Sequence, residues 1–254
     1  MVIVEELIVR TIRLLEVLLE RRVQLKLKNR SSAGKILGEL LKKEIDLAIT
    51  LCESNGVKKE IIVLGVPRGG VITARAVATK LSAKFLPINS IRLLAQYNKE
   101  LTIGAVVEGG EVYINQEIVE ALNVSQEYLE TEKRSKTKEL NLAKYRFSIP
   151  GSFRRNITDN IVVLIDDGAA TGATLIAATR YVRKFDPAHI LVGIPVAPRA
   201  AINSIKVEAE NVVSVLTPED RSFSSVEQYY VDFRTVSDKE VENAMNEGSS
   251  YCSS

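Results

Sequence analysis

The chain has 254 residues, 46% of them hydrophobic and 26% charged, which excludes a disordered chain and fits a globular protein with one large core or two small ones. Lys and Arg number 34 against 32 Asp and Glu, a net charge of +2, so bulk charge argues for neither a nucleic-acid nor a membrane partner. With 2 cysteines and 1 histidine, a disulfide framework, a cysteine zinc site, a His-rich metal site and a paired-histidine mechanism are excluded, whereas the many carboxylates leave oxygen ligands for Mg²⁺.

Ile3, Leu7, Ile8, Leu14, Leu15 and Leu18 recur at helical spacing and predict an amphipathic helix over 3–22, set in an N-terminal segment 1–28 ahead of a domain at 29–254. That helix is expected to pack on the body or on a second subunit. Glu5, Glu6, Arg10, Arg13 and Glu16 interrupt it too often for a membrane span or a signal peptide, so a cytoplasmic location is expected. Ser31 or Ser32 is expected to cap a second helix from Ala33 to about Cys52, and Asn55-Gly56 then turns the chain. Ile61 to Val66 reads as a strand without alternation, as in a parallel sheet covered on both faces.

Pro67-Arg68-Gly69-Gly70 turns into a helix over Val71–Leu81, and Phe85 to Ile91 reads as the next strand. Glu108-Gly109-Gly110 separates Ile103–Val107 from Glu111–Ile114 as in a hairpin. Glu117 to Tyr145 reads as one long polar helix, and the 117–155 region as an insertion or cap. Its basic residues, Lys133, Arg134, Lys136 and Lys138, are interleaved with Glu127, Glu130, Glu132 and Glu139, the pattern of a solvated helix held by i,i+4 pairs. Further strands fall at Ile161–Ile165, Ile190–Pro195 and Val212–Leu216, with helices to about Phe185 and at Ala200–Ala209 between them. Strands alternating with helices predict a parallel α/β sheet.

The run from Val162 to Thr174, VVLIDDGAATGAT, carries the most information. Four aliphatics bring the chain through the core, and Asp166 and Asp167 emerge at the carboxyl end of the strand, where open α/β sheets place ligands. Gly168, Ala169, Ala170, Gly172 and Ala173 let backbone N–H groups approach a ligand. The helix that follows offers its free N–H groups and positive dipole end, and Thr171 and Thr174 add hydroxyls. N–H groups for a phosphate beside carboxylates for hydroxyl hydrogens suit a phosphorylated sugar. The alternative is a strand ending in an ordinary Asp turn.

This string resembles the hallmark of the type I phosphoribosyltransferases: four hydrophobics, two acidic residues, then small residues and threonines. Matching pieces are Lys28-Asn29-Arg30 with Ala33-Gly34, Leu64 to Val71, Ile103 to Val106 with Glu108-Gly109-Gly110, and Tyr229 to Phe233. The resemblance implies a parallel sheet with helices on both faces and a small hood built from about 103–155 and the C-terminal stretch. It implies binding of 5-phospho-α-D-ribosyl 1-diphosphate (PRPP), with Asp166 and Asp167 on the ribose hydroxyls and Ala169 to Thr174 around the 5′-phosphate. Pro67, Arg68, Gly69 and Gly70 would face the pyrophosphate with Arg92, and Mg²⁺ would bridge pyrophosphate and sugar oxygens. The implied activity is transfer of the 5-phosphoribosyl group to a nitrogenous, nucleobase-like acceptor, and a homodimer or other homo-oligomer is expected. A bulky side chain at Gly172 is expected to block the phosphate rather than the fold.

After the strand, family members carry Arg-Lys and a loop ending near Asn-Pro-Glu; here Arg92 is kept, Leu93 stands in place of the lysine, and Lys99 in place of the proline. Lys99 is a candidate substitute cation. This departure leaves open a PRPP- or nucleotide-binding sensor with little turnover; a phosphoribosyl hydrolase or phosphorylase is a third reading. Tyr229-Tyr230 either stacks on a base or packs, and His189 reads as structural.

Overall fold

The computed structural model describes residues 25–52, 58–143 and 153–249. The helix predicted over 3–22, the turn at Asn55-Gly56 and Cys252 lie outside these residues, as does the end of the helix predicted to Tyr145.

Helix α1 (Arg30–Cys52) opens the described chain. Its cap is Asn29 rather than a serine: Asn29 Oδ1 accepts the Ser32 N–H at 2.9 Å, a role for which asparagine is as well suited as serine. Strand β1 (Ile61–Gly65), helix α2 (Gly69–Leu81) and strand β2 (Lys84–Pro87) follow. The segment expected as one strand over 85–91 is two. β2 pairs with β1 up to Pro87, and β3 (Ser90–Leu94) joins a different sheet with β4 (Thr102–Val107) and β5 (Val112–Ile114). Buried Glu108 fixes the switch: its carboxylate accepts the Asn89 backbone N–H at 3.3 Å and Nδ2 at 3.1 Å, and its own N–H donates to the Asn89 carbonyl at 3.0 Å.

The long helix expected over 117–145 is also two, α3 (Gln116–Ala121) and α4 (Gln126–Ala143). Asn123 between them takes a left-handed φ of 49°, which asparagine tolerates, and Ser125 Oγ then accepts the Tyr128 N–H at 3.2 Å to start α4. Lys133–Glu130 and Lys136–Glu139 pair on α4 at i,i+3, each at 2.8 Å, so its charges do offset one another. Then come α5 (Phe153–Ile157), β6 (Ile161–Ile165), α6 (Ala173–Arg183), β7 (His189–Val196), α7 (Arg199–Lys206), β8 (Asn211–Leu216) and α8 (Asp238–Ser249). The sequence pattern predicts no helix at α5 or α8.

The main sheet runs β2-β1-β6-β7-β8, all parallel. Side chains alternate across it. Ile62, Leu64, Val162, Leu164, Ile190 and Val192 face α6, while Val63, Ile161, Val163, Ile165 and Leu191 face α1 and α2. Both sets are fully buried, which is why these strands read as unbroken apolar runs. The chain leaves β1 toward β2 but leaves β6 toward β7, in the opposite direction. The carboxyl ends of β1 and β6 therefore flank a crevice at the point where strand order reverses, the usual ligand position in an open α/β sheet. The small antiparallel sheet, order β3-β4-β5, packs with α3 and α4 around Leu93, Ile103, Val106, Val119, Leu129 and Leu140. Among the described residues, no helix is long and apolar enough to cross a membrane.

Candidate active site

The crevice between β1 and β6 opens into a cavity of about 600 Å³. Its floor is the turn Pro67-Arg68-Gly69 after β1 and the loop Asp166 to Thr174 after β6. β3 contributes Arg92, and α4 adds Glu139 and Leu140 from above. Every residue assigned to the ribose, 5′-phosphate and pyrophosphate from the sequence lines this cavity except Gly70, and the candidate cation Lys99 lies outside it as well. Gly70 lies behind the wall, where a Cβ would stand 2.8 Å from Asp166 Oδ1 and 2.9 Å from its Cα. Its role is to let α2 start against Asp166.

The two carboxylates have different surroundings. Asp166 Oδ1 accepts the Asp167 N–H at 2.8 Å. Burial and the adjacent Asp167 charge push the Asp166 carboxyl well above the usual carboxylate range, against the pull of that N–H and of Arg92. Asp167 Oδ2 is instead paired with Arg30 Nε at 2.5 Å. Its backbone carbonyl accepts the Tyr230 hydroxyl at 2.6 Å. Burial, then the Asp167 charge, drives that phenol strongly upward, so it stays a donor.

Gly172 has φ +76° and precedes α6, whose first N–H, that of Ala173, donates to Thr171 Oγ1 at 3.4 Å; Gly172, Ala173 and Thr174 all line the cavity. The expectation that a side chain at Gly172 would obstruct only a ligand needs correcting. A Cβ there would meet Ile205 Cγ1 at 2.8 Å and the Ala201 carbonyl at 3.3 Å, both on α7, so Gly172 also serves the packing of the fold.

Among the described residues, three cations line the cavity: Arg30, Arg68 and Arg92. Arg68 Nε pairs with Asp238 Oδ1 at 2.8 Å, while exposed Arg92 lies near enough to Asp166 to lower its pKa. Leu93 cannot act in place of a cation, for it is fully buried in the small-sheet core. Lys99 does not line the cavity; its Nζ bonds the Tyr128 hydroxyl at 2.6 Å, and that hydroxyl donates to the Leu94 carbonyl at 3.0 Å. Tyr229 and Tyr230 are 5% and 3% exposed and pack rather than offer a ring to a base. His189 bonds Asn211 at 2.8 Å on the sheet and takes no part in the cavity.

Arg30, Asn89, Thr102, Glu139, Val226, Phe233 and Asp238 line the cavity although the sequence assigns them no role there. Arg30 and Phe233 do stand in stretches that carry the family resemblance. The others carry no local signal, because distant segments bring them in.

A reversed-order parallel sheet, an acidic pair at the end of its central strand, a small-residue loop opening a helix and a facing Pro-Arg-Gly turn define a protein of the type I phosphoribosyltransferase fold. The chain belongs to the phosphoribosyl transferase domain family, whose model matches residues 35–234. Two proteins of Mycobacterium tuberculosis, from strains CDC 1551 / Oshkosh and ATCC 25618 / H37Rv and each named "Putative phosphoribosyl transferase", are 33% identical to it over 195 residues. That match covers 77% of this chain but 43% of each relative, so the chain spans less than half the length of these curated proteins. Among solved structures, TT1426 from Thermus thermophilus is 33% identical with a TM-score of 0.65, over 88% of this chain and 99% of that one.

Proposed function

We propose that this domain transfers the 5-phosphoribosyl group of Mg·PRPP to a nitrogenous acceptor and releases pyrophosphate. The observation that carries this reading is the convergence of Asp166, Asp167, the 168–174 loop, the Pro67–Gly69 turn and Arg92 on one cavity. The 5′-phosphate would sit at the α6 N-terminus and the ribose hydroxyls on the acidic pair. The diphosphate would lie against the turn after β1 and Arg92. As the C1–O bond breaks, positive charge develops on the ribose and negative charge on the departing pyrophosphate. In this pose the carboxylates would face the first charge, and the backbone of the turn after β1 with Arg92 would face the second. A C1–N bond to the acceptor completes the transfer.

Among the described residues, no group of three or more His, Cys, Asp or Glu side chains forms a metal cage. The donor set would suit Mg²⁺ carried on the diphosphate with most of its water kept, and Asp166 and Asp167 are among the cavity carboxylates that could contribute oxygen. When bound, the ion supplies positive charge to the leaving pyrophosphate.

One observation favours a second reading, a PRPP sensor with little turnover: Leu93, at the family's lysine position, is buried in the small-sheet core. Single-turnover pyrophosphate release from Mg·PRPP across purine, pyrimidine and pyridine acceptors separates the two. Release with one acceptor class is expected. Tight binding without release for any acceptor establishes the sensor, and absence of PRPP binding overturns both.

A further inference from the structure

Arg30 is the first residue of α1, yet it reaches the acidic pair 137 residues away in sequence. Its guanidinium is held on three sides. Nε pairs with Asp167 Oδ2 at 2.5 Å, Nη1 donates to the Arg234 carbonyl at 2.8 Å, and Cζ lies 3.8 Å from the centre of the Phe233 ring. The Arg30 and Asp167 side chains are only 11% and 16% exposed. The backbone around both partners is also fixed. Leu27 pairs with Tyr230, the Asp232 N–H donates to the Lys28 carbonyl, and the Tyr230 hydroxyl holds the Asp167 carbonyl. Gly69 supplies the space: a Cβ there would overlap Asp167 Oδ2 and stand 2.6 Å from Arg30 Nε.

We propose that Arg30 is a positioning residue for sugar recognition: it pins Asp167 Oδ2 so that Oδ1 is presented to the ribose hydroxyls. This rests on the ribose assignment made above. An arginine stacked on an aromatic ring and hydrogen-bonded at two atoms has little freedom left to lose, so it can hold a carboxylate in one orientation before the ligand arrives. A lysine would bring the charge without the planar fork. Asp167 beside a second carboxylate would otherwise be repelled and turn away from Asp166, and so accept a ribose hydroxyl hydrogen less well. Phe233 and the Arg234 carbonyl belong to the C-terminal stretch, which is thereby coupled to the sugar site.

The test compares ribose 5-phosphate with 2,3-dideoxyribose 5-phosphate, which lacks both hydroxyls, by calorimetric titration of the full chain. The parent is expected to prefer the ribose form. Arg30→Met, which keeps most of the aliphatic stem, is expected to reduce that preference about tenfold, the loss of one charged hydrogen bond, with a smaller loss for the dideoxy sugar than for the ribose form. A purely structural role would weaken both sugars together. Arg30→Lys and Phe233→Leu are expected to give smaller losses of preference, and they carry the test if Arg30→Met does not fold. A preference unchanged in all three variants overturns the proposal. Tighter ribose 5-phosphate binding by Arg30→Met also overturns it, by making Arg30 an obstruction. A parent that binds ribose 5-phosphate without preference overturns the ribose assignment itself, a different failure.

Discussion

The loop after β6 and the segment after β3 both bring charged side chains to one cavity, but they are anchored very differently. Every residue of β6 is buried, and the Asp166–Thr174 loop that leaves it is clasped by α2, α7 and the C-terminal stretch through Gly70, Gly172 and Tyr230. Arg92 stands exposed on a strand of the small sheet, and the next residues turn back on α4 through Lys99 and Tyr128. The proposed sugar-phosphate side is thus made of packed backbone and carboxylates that have protein partners, while the proposed diphosphate side includes the exposed guanidinium of Arg92. The difference fits the chemistry proposed: the ribose phosphate must be held in one pose, whereas the diphosphate departs.

If the β6 side is preformed, small intrusions there should do the greatest damage. Gly69→Ala places a methyl group on Asp167 Oδ2 and should weaken ribose 5-phosphate and PRPP binding by roughly ten- to a hundredfold, a cost of about 1.4–3 kcal/mol. Calorimetry alongside circular dichroism reads this; unchanged affinity would mean that Asp167 is not held where a ligand needs it.

Next in size is Gly172→Val. With φ at +76° and α7 against its Cβ direction, the variant should lose about 2–3 kcal/mol of stability, read as a lower urea midpoint. Full stability with abolished phosphate binding would instead restore a role confined to the ligand.

The β3 side should respond in rate rather than in affinity. Arg92→Ala is expected to slow pyrophosphate release about tenfold or more and to weaken PRPP binding less, since a leaving group gains charge in the transition state. Lys99→Ala, tied to Tyr128 outside the cavity, should stay within about twofold of the parent. Equal losses in both variants would abolish the distinction drawn between them.

The smallest effect concerns the acidic pair without ligand. Because the folded protein raises the Asp166 pKa, the ionised form opposes folding: the favourable contribution is complete below the unfolded pKa and is lost as pH rises through the folded one. Asp166→Asn should therefore melt a few degrees higher than the parent at neutral pH, with the gap closing below about pH 4. A lower melting temperature for the variant at neutral pH would show that the Asp166 charge is compensated.

Much of this architecture was legible in the sequence because its signals are local. Five aliphatics in a row, bounded by turn residues, mark a strand covered on both faces, and a strand that runs into Asp166-Asp167 and then small residues exposes them at its carboxyl end. The order of α2, β6, α6 and β7 followed from the same periodicities. Tertiary structure decided what local pattern leaves open. Phe85–Ile91 is continuous in sequence, but Glu108 closing on Asn89 splits it between two sheets. Leu93 is defined less by the arginine beside it than by the core that encloses it. Arg30 meets Asp167, and Asp238 meets Arg68, only because the C-terminal stretch returns across the ends of β1 and β6. Periodicity specifies which face of an element is apolar; it carries no record of which polar groups from distant segments converge, since that depends on how the elements pack.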